Sequence, residues 1–225
     1  AGVYHRGPGG SGTISADSDP YTSVYMGGTM GVVPTLYYDF DVKDKRRDIS
    51  VVAFRWADGV QELTRPSMMT GGKLRAEWKD PSLAKFSANA NDGITPIVLR
   101  YADVLLMFAE AQNEVDATPS DAVYDAVNRV RGRVGMPTYA YGSKSQSEMR
   151  EIIRHERRVE FAGEGLYYND IRRWMTAELV MNAVIQDYAG TDIAVRAFDP
   201  DRDYWWPVPA DQILLNKKLE QNPNY

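Results

Sequence analysis

The sequence predicts a mainly α-helical fold, with tetratricopeptide-like helix pairs, a long loop-rich segment and a few short strands. Three observations predict it. From Ile97 to about Met181, apolar residues recur at helical spacing. Capping residues, Pro119, Gly135 and Pro137 cut that region into helices joined by short connections, the pattern of antiparallel helix hairpins. Residues 1–35, rich in Gly, Ser, Thr and Pro, hold neither a helical nor a strand period. No strict repeat of roughly 34 residues is legible, so the likeness to tetratricopeptide packing rests on the helix pairs alone.

In chain order, Tyr4, Tyr21, Tyr25 and Met26 are scattered through the irregular first segment. Leu36 to Phe40 and Ser50 to Trp56 read as short strands from their β-branched and aromatic content, with the charged turn DVKDKRRD between them. Gly71-Gly72 and Lys79-Asp80-Pro81 punctuate a loop that carries Trp78. The first helix places Val98, Ala102, Leu105, Leu106, Ala109 and Val115 on one stripe. Thr118-Pro119-Ser120-Asp121 then supplies a cap, a proline at the first helical position and an acid in the first turn. Ala122, Val123, Ala126, Val127 and Val130 form the apolar face of the next helix. After Tyr188 comes a Gly/Asp loop. In DRDYWWPVPADQI, Pro207 and Pro209 predict an extended segment rather than a helix. The domain reading is one structural unit, with 1–96 irregular and loop-rich and 97–225 a helical scaffold with an extended tail.

The chain is organised around Glu151 to Trp174. Ser147 can cap this helix, Ile152, Ile153, Val159 and Ala162 keep its period, and Gly163 and Gly165 break it before Tyr167 and Tyr168. Six arginines from Arg150 to Arg173 face five carboxylates, Glu151, Glu156, Glu160, Glu164 and Asp170, without a lysine. Arginine without lysine points to planar, two-pronged pairing with carboxylates. An ion-pair lattice clamping helices is the favoured reading. An acid/base site would want separated carboxylates across a cleft. A nucleic-acid surface would not nearly cancel its own positive charge.

Composition narrows the rest. Net charge is −5 over 225 residues, which implies no polyanion partner and no nucleic acid. The absence of cysteine removes disulfides, thiolate catalysis and cysteine-ligated metals, and two histidines are too few for a His-rich metal site. No apolar run approaches the roughly 18 residues of a membrane span. The opening AGVYHRGPGGSGTIS shows no signal pattern and reads as the middle of a longer protein. Fourteen tyrosines and five tryptophans raise sugar or peptide binding as an option.

Individual motifs mostly favour structural roles. Asp199, Asp201 and Asp203 alternate like a calcium loop, but the central glycine is missing and Ala210 stands where the closing glutamate belongs. His155 among arginines reads as a helix-surface histidine. No serine nucleophile elbow or phosphate loop is present. No cofactor or metal is implied. Tyr204-Trp205-Trp206, followed by Pro-Val-Pro, reads as a tail anchor before it reads as a sugar platform. Trp56, Trp78, Tyr4, Tyr21 and Tyr25 sit in or beside irregular segments, where flat aromatic faces can meet pyranose C–H groups.

Four stretches carry a resemblance. Residues 99–111 read LRYADVLLMFAEA, and 126–137 read AVNRVRGRVGMP. Glu156-Arg157-Arg158-Val159-Glu160-Phe161, Glu164-Gly165 and Asp170-Ile171-Arg172-Arg173-Trp174 form the third. Pro207-Val208-Pro209, Asn216 and Gln221-Asn222-Pro223-Asn224-Tyr225 form the last. In this order they resemble the C-terminal region of the SusD/RagB family, outer-membrane nutrient-binding lipoproteins of Bacteroidetes. Tyr167 stands where that family usually has arginine, Gly132-Arg133-Val134 replaces an alanine-containing run, and Asn224 replaces glycine. These departures are conservative for a scaffold.

The resemblance implies a SusD-like fold with a loop-rich ligand face, and a lipid-anchored, surface-exposed protein that is not an enzyme. Such a protein captures oligo- or polysaccharide and passes it to a SusC-like TonB-dependent transporter; other members bind peptides. A hydrolase using the Glu/Arg cluster is a further, weaker alternative. The family's N-terminal half has no counterpart here, so the chain is expected to need that half as a partner. Arg100, Arg131, Glu156, Arg157, Glu160, Glu164, Asp170, Arg172 and Arg173 are expected to be scaffold. Tyr4, Tyr21, Tyr25, Trp56 and Trp78 are the candidate ligand contacts.

Overall fold

The structure, a computed structural model, describes residues 32–52, 54–57, 60–63, 70–73, 97–187 and 190–225. The chain divides into two compact units, one through Glu164 and one from Gly165 to Tyr225. Helices dominate both.

The first unit opens with α1 (Pro34–Asp39), a helix where the sequence suggested a strand over Leu36 to Phe40. Pro34 starts it, which presets φ and removes only an N–H that would have no helical partner. Leu36 and Tyr37 pack on a cluster of Phe40, Val51, Val159 and Ala162, and so short an apolar run does not by itself choose between periods. After α2 (Arg47–Ser50) come β1 (Val51–Val52), β2 (Phe54–Ala57), β3 (Val60–Leu63) and β4 (Thr70–Gly71). Ser50, expected in a strand, closes α2 instead. β1 pairs antiparallel with β4, and β2 with β3, which sets Trp56 opposite Gln61.

Three longer helices follow: α3 (Tyr101–Val115), α4 (Asp121–Arg133) and α5 (Gln146–Glu160). α3 packs against both of the others. Its buried line is Asp103, Leu106, Ala109 and Asn113, narrower than the expected stripe, whose ends Val98 and Val115 are exposed. α4 buries Val123, Tyr124, Ala126, Val127 and Val130. Its cap is Ser120 rather than Thr118, so Pro119 precedes the helix instead of starting it. α5 is capped by Ser145, not Ser147. The Ser145 hydroxyl accepts from the Glu148 N–H while the Glu148 carboxylate accepts from the Ser145 N–H, a reciprocal box that only a spacing of three allows.

Side chains stitch the connections to the helices. Asn113 donates to the Gln146 carbonyl at 3.0 Å, and Gln146 donates back to the carbonyls of Asn113 and Asp116 at 2.9 and 2.8 Å. Asn128 holds Tyr139 through both its N–H and C=O, and the Tyr124 hydroxyl does the same for Lys144. These clasps satisfy loop amides that would otherwise meet no partner. They fix where α5 begins, and hence where its last turn presents its carboxylates.

The second unit contains α6 (Tyr167–Arg173), α7 (Ala177–Met181), an antiparallel hairpin of β5 (Val184–Gln186) and β6 (Asp192–Val195), and α8 (Ala210–Leu215). Ile171, Ala177, Phe198 and Tyr204 form its core. The sequence reading missed the hairpin, whose strands are short and whose β6 is exposed throughout. It also missed α8: the two prolines do forbid helix through Val208, but Pro209 serves as the cap of a helix starting at Ala210.

Candidate functional site

The last turn of α5 carries Glu156 and Glu160 four residues apart, so both project from one helix face, and both side chains are buried. Glu156 accepts from Arg46 Nη1 at 2.5 Å and from Arg131 Nη1 at 2.9 Å. Glu160 accepts from Arg46 Nη1 at 2.8 Å, Arg100 Nη1 at 2.5 Å and Arg133 Nη2 at 2.8 and 2.9 Å. Glu164 lies past the helix end, where Gly163 and Gly165 take positive φ of 78° and 81° and turn the chain. It receives a two-pronged pair from Arg100 and a 2.5 Å contact from Lys73 Nζ. Lys73 and Arg100 also donate to the Glu160 carbonyl, filling a helix-end acceptor.

Asp44 completes the lattice by holding Arg46 through Nε and Nη2 at 2.9 and 2.6 Å. Asp44, Glu156, Glu160 and Glu164 thus face Arg46, Arg131, Arg133, Arg100 and Lys73. Burial alone would push the Glu160 carboxyl up, but hydrogen bonds from Arg100 and Arg46 and the charges of Arg100 and Arg133 hold it below the usual carboxylate range. Glu164 is held low in the same way by Arg100 and Lys73, and Asp44 by Arg46. Burial pushes the Lys73 ammonium below the ordinary lysine range, only partly offset by Glu164.

That geometry settles what the cluster can do. A general acid must hold a proton at working pH, and the Asp44, Glu160 and Glu164 carboxyls are held below the usual carboxylate range. Their oxygens point at guanidinium and ammonium groups, and among the described residues they form no separated pair across a cleft. The arrangement pins the connection bearing Arg46, residue Lys73 and the chain before α3 onto the end of α5.

Arg157 points elsewhere: it pairs with Asp103 at 2.9 Å and with Glu110 at 3.9 Å, tying α5 to α3. Its guanidinium and that of Arg100 lie 5.2 and 4.5 Å from the Phe161 ring centroid. In the second unit, Arg173 pairs with Asp170 at 2.9 Å, and Arg172 donates to the Tyr204 carbonyl. The nine sequence-predicted charged residues therefore divide among three clusters. Sequence reasoning missed Asp44, Arg46, Lys73, Asp103 and Arg133. Asp44 and Arg46 lay inside a charge run that reads as a solvated turn; nothing in their order says they are buried.

Of the aromatic candidates, Tyr4, Tyr21, Tyr25 and Trp78 lie outside the described residues, and Trp56 is placed only through its β2 backbone. The expected tail anchor splits. Tyr204 is buried edge-on against Phe198 with centroids 4.9 Å apart, but Trp205 and Trp206 are 62% and 66% exposed. His155 bonds the Asp39 carbonyl at 2.9 Å. In the acidic loop, Asp199 accepts from the Asp201 amide and Asp203 pairs with Arg202, so the Asp199 and Asp203 carboxylates have protein partners.

Residues 39–225 match the model of the SusD family. A SusD-like protein of Formosa agariphila is 32% identical over 221 residues, an alignment covering 91% of this chain and 42% of that protein. Among solved structures, a SusD homologue from Bacteroides thetaiotaomicron superposes with a TM-score of 0.68 at 24% identity, covering 97% of this chain and 51% of its own. A SusD-like carbohydrate-binding protein from Bacteroides fragilis gives 0.64 at 25% identity, covering 84% and 48%. The chain spans about half the length of each of these relatives.

Proposed function

The chain belongs to the SusD family, and from that premise we propose that it is the C-terminal portion of a cell-surface glycan-binding protein. It binds oligo- or polysaccharide without bond chemistry and serves a SusC-like TonB-dependent transporter, held at the surface by a lipid anchor. The family match over 39–225 carries this reading, and the carbohydrate-binding relative supports it. The charge lattice supports it from the other side, because its carboxylates are saturated and have a structural task. Residues 97–225 supply the helical scaffold, and 1–96 the loop-rich portion that holds all five aromatic candidates. Tyr4, Tyr21, Tyr25, Trp56 and Trp78 remain the proposed contacts there.

The proposed partner half has support on α3. Tyr101, Val104, Phe108, Ala111 and Val115 follow a 3,4,3,4 spacing along the face opposite the buried line, and all are exposed. Ile97, Val98 and Leu99 extend that surface, which is larger than a lone surface apolar residue explains. Helices of the N-terminal half would cover it. Binding of soluble polysaccharides to the complete polypeptide, measured by isothermal titration calorimetry, tests the function. Saturable binding supports it. Binding of peptides with no binding of any polysaccharide would replace it with the peptide-binding reading.

A further inference from the structure

We propose that Lys73 is a positioning residue for ligand binding: together with Arg100 it draws the two ends of segment 74–99 onto Glu160 and Glu164, and so fixes where that segment leaves and rejoins the scaffold. The inference rests on the glycan-binding reading and adds a means by which the loop-rich portion is held. Arg46, Lys73 and Arg100 all end on the last turn of α5 or the residues just past it, so the chain returns to this point three times. The stretches between the returns carry Trp56 and Trp78, two of the proposed contacts.

Both ends of 74–99 meet the same acceptors. Lys73 Nζ donates to the Glu160 carbonyl at 2.6 Å and to Glu164 Oε1 at 2.5 Å. Arg100 Nη2 donates to the same two oxygens, at 2.8 and 2.9 Å. Each cation also stands on a fixed backbone. Lys73 follows β4, whose Thr70 and Gly71 pair with Val52 and Val51, and the Gly72 amide donates to the Ser50 carbonyl at 2.9 Å. Arg100 is the cap residue of α3, its carbonyl accepting from the Asp103 amide at 2.8 Å, and its guanidinium lies 4.5 Å from the Phe161 ring centroid.

Stability alone does not call for a lysine at this point. Burial pushes its ammonium below the ordinary lysine range, only partly offset by Glu164, and Arg100 already gives Glu164 a two-pronged partner. What the second cation adds is geometry, because two donors on one pair of oxygens set the separation of the segment's ends. Bringing the ends of a long segment together costs entropy. With the ends held beforehand, that cost does not fall on the ligand.

Isothermal titration calorimetry of the complete polypeptide with soluble starch, β-glucan, xylan and mannan first identifies the polysaccharide that wild type binds. Lys73→Met should weaken that binding by about ten-fold, the cost of ordering one or two further side chains on binding, and Lys73→Arg should restore most of it. Ser145→Ala, which weakens the start of α5 without touching either end of the segment, is the control for lost stability and should bind as wild type does. Glu164→Gln removes the charge that both cations share and should show the same loss; it decides the matter if Lys73→Met does not fold. Wild-type affinity in Lys73→Met and Glu164→Gln, or an equal loss in Ser145→Ala, overturns the positioning role and leaves the glycan-binding reading standing. A loss in Lys73→Met that Lys73→Arg does not restore also overturns it, because the shape of the side chain and not its paired charge would then be responsible. Failure of all four polysaccharides to bind wild type overturns both.

Discussion

Replacing Glu160 by glutamine should destabilise the first unit severely while removing no chemistry. The carboxylate is the meeting point of Arg46, Arg100 and Arg133, with its side chain only 1% exposed. An amide of the same shape keeps one acceptor, turns an NH₂ donor toward guanidinium donors, and leaves their charge short of a partner. Breaking a buried pair by removing one member costs about 3–5 kcal/mol. Arg133 and Arg100 reach water at 57% and 23% side-chain exposure, which screens the released charge and places the cost near the lower end, about 3 kcal/mol. At roughly 2–4 °C per kcal/mol for a chain of this size, the melting temperature should fall by about 6–12 °C. Circular dichroism melts of wild type and variant at neutral pH measure this. Arg133→Ala, which removes only the exposed arm, provides the internal control at less than about 1 kcal/mol. A Glu160→Gln shift below about 2 °C would refute the reasoning, because the lattice would then not be holding the fold.

Further predictions follow from the same geometry. Asp44, Glu160 and Glu164 have folded pKa values below their unfolded ones, so their contribution is fully present above the ordinary carboxylate range, near about pH 4, and is lost as pH falls through the lowered values. Acid melts should therefore fall more steeply for wild type than for Glu160→Gln. Lys73→Met should destabilise less than Arg100→Met in urea titrations, because burial already disfavours the Lys73 charge whereas Arg100 serves both Glu160 and Glu164. Ser145→Ala should lower stability by about 1 kcal/mol through loss of the capping box, read as a urea midpoint shift. Leu106→Ala, at a fully buried position between helices, should cost about 2–5 kcal/mol by the same assay.

Long periodic elements were legible in the sequence; short ones and long-range pairings were not. The α4 face from Val123 to Val130 and the break at Gly163 and Gly165 follow from local pattern, and local pattern is what a sequence displays. Pro34 turned a tyrosine-rich run into a helix by occupying its first position, and Pro209 caps one, so a proline that forbids helix before itself still allows one after it. Of the acidic half of the lattice, Glu156, Glu160 and Glu164 were visible in the run that ends α5, whereas Asp44 was not. The basic half was partly hidden, because Arg46 meets Glu160 across 114 positions of sequence and reads locally as part of a charged turn. Tyr204, Trp205 and Trp206 show the same limit. Composition groups them, while only the packing of Phe198 and Ala177 sends one inward and leaves two in water.

Isothermal titration calorimetry of the complete polypeptide against soluble polysaccharides, run in parallel for wild type and Glu160→Gln at a temperature where both are folded, separates glycan binding from hydrolysis. Saturable binding heat is expected for at least one polysaccharide, of similar affinity in both proteins, with no continuing heat after mixing. Steady hydrolytic heat that disappears in Glu160→Gln, or no binding of any polysaccharide by the wild type, would contradict it.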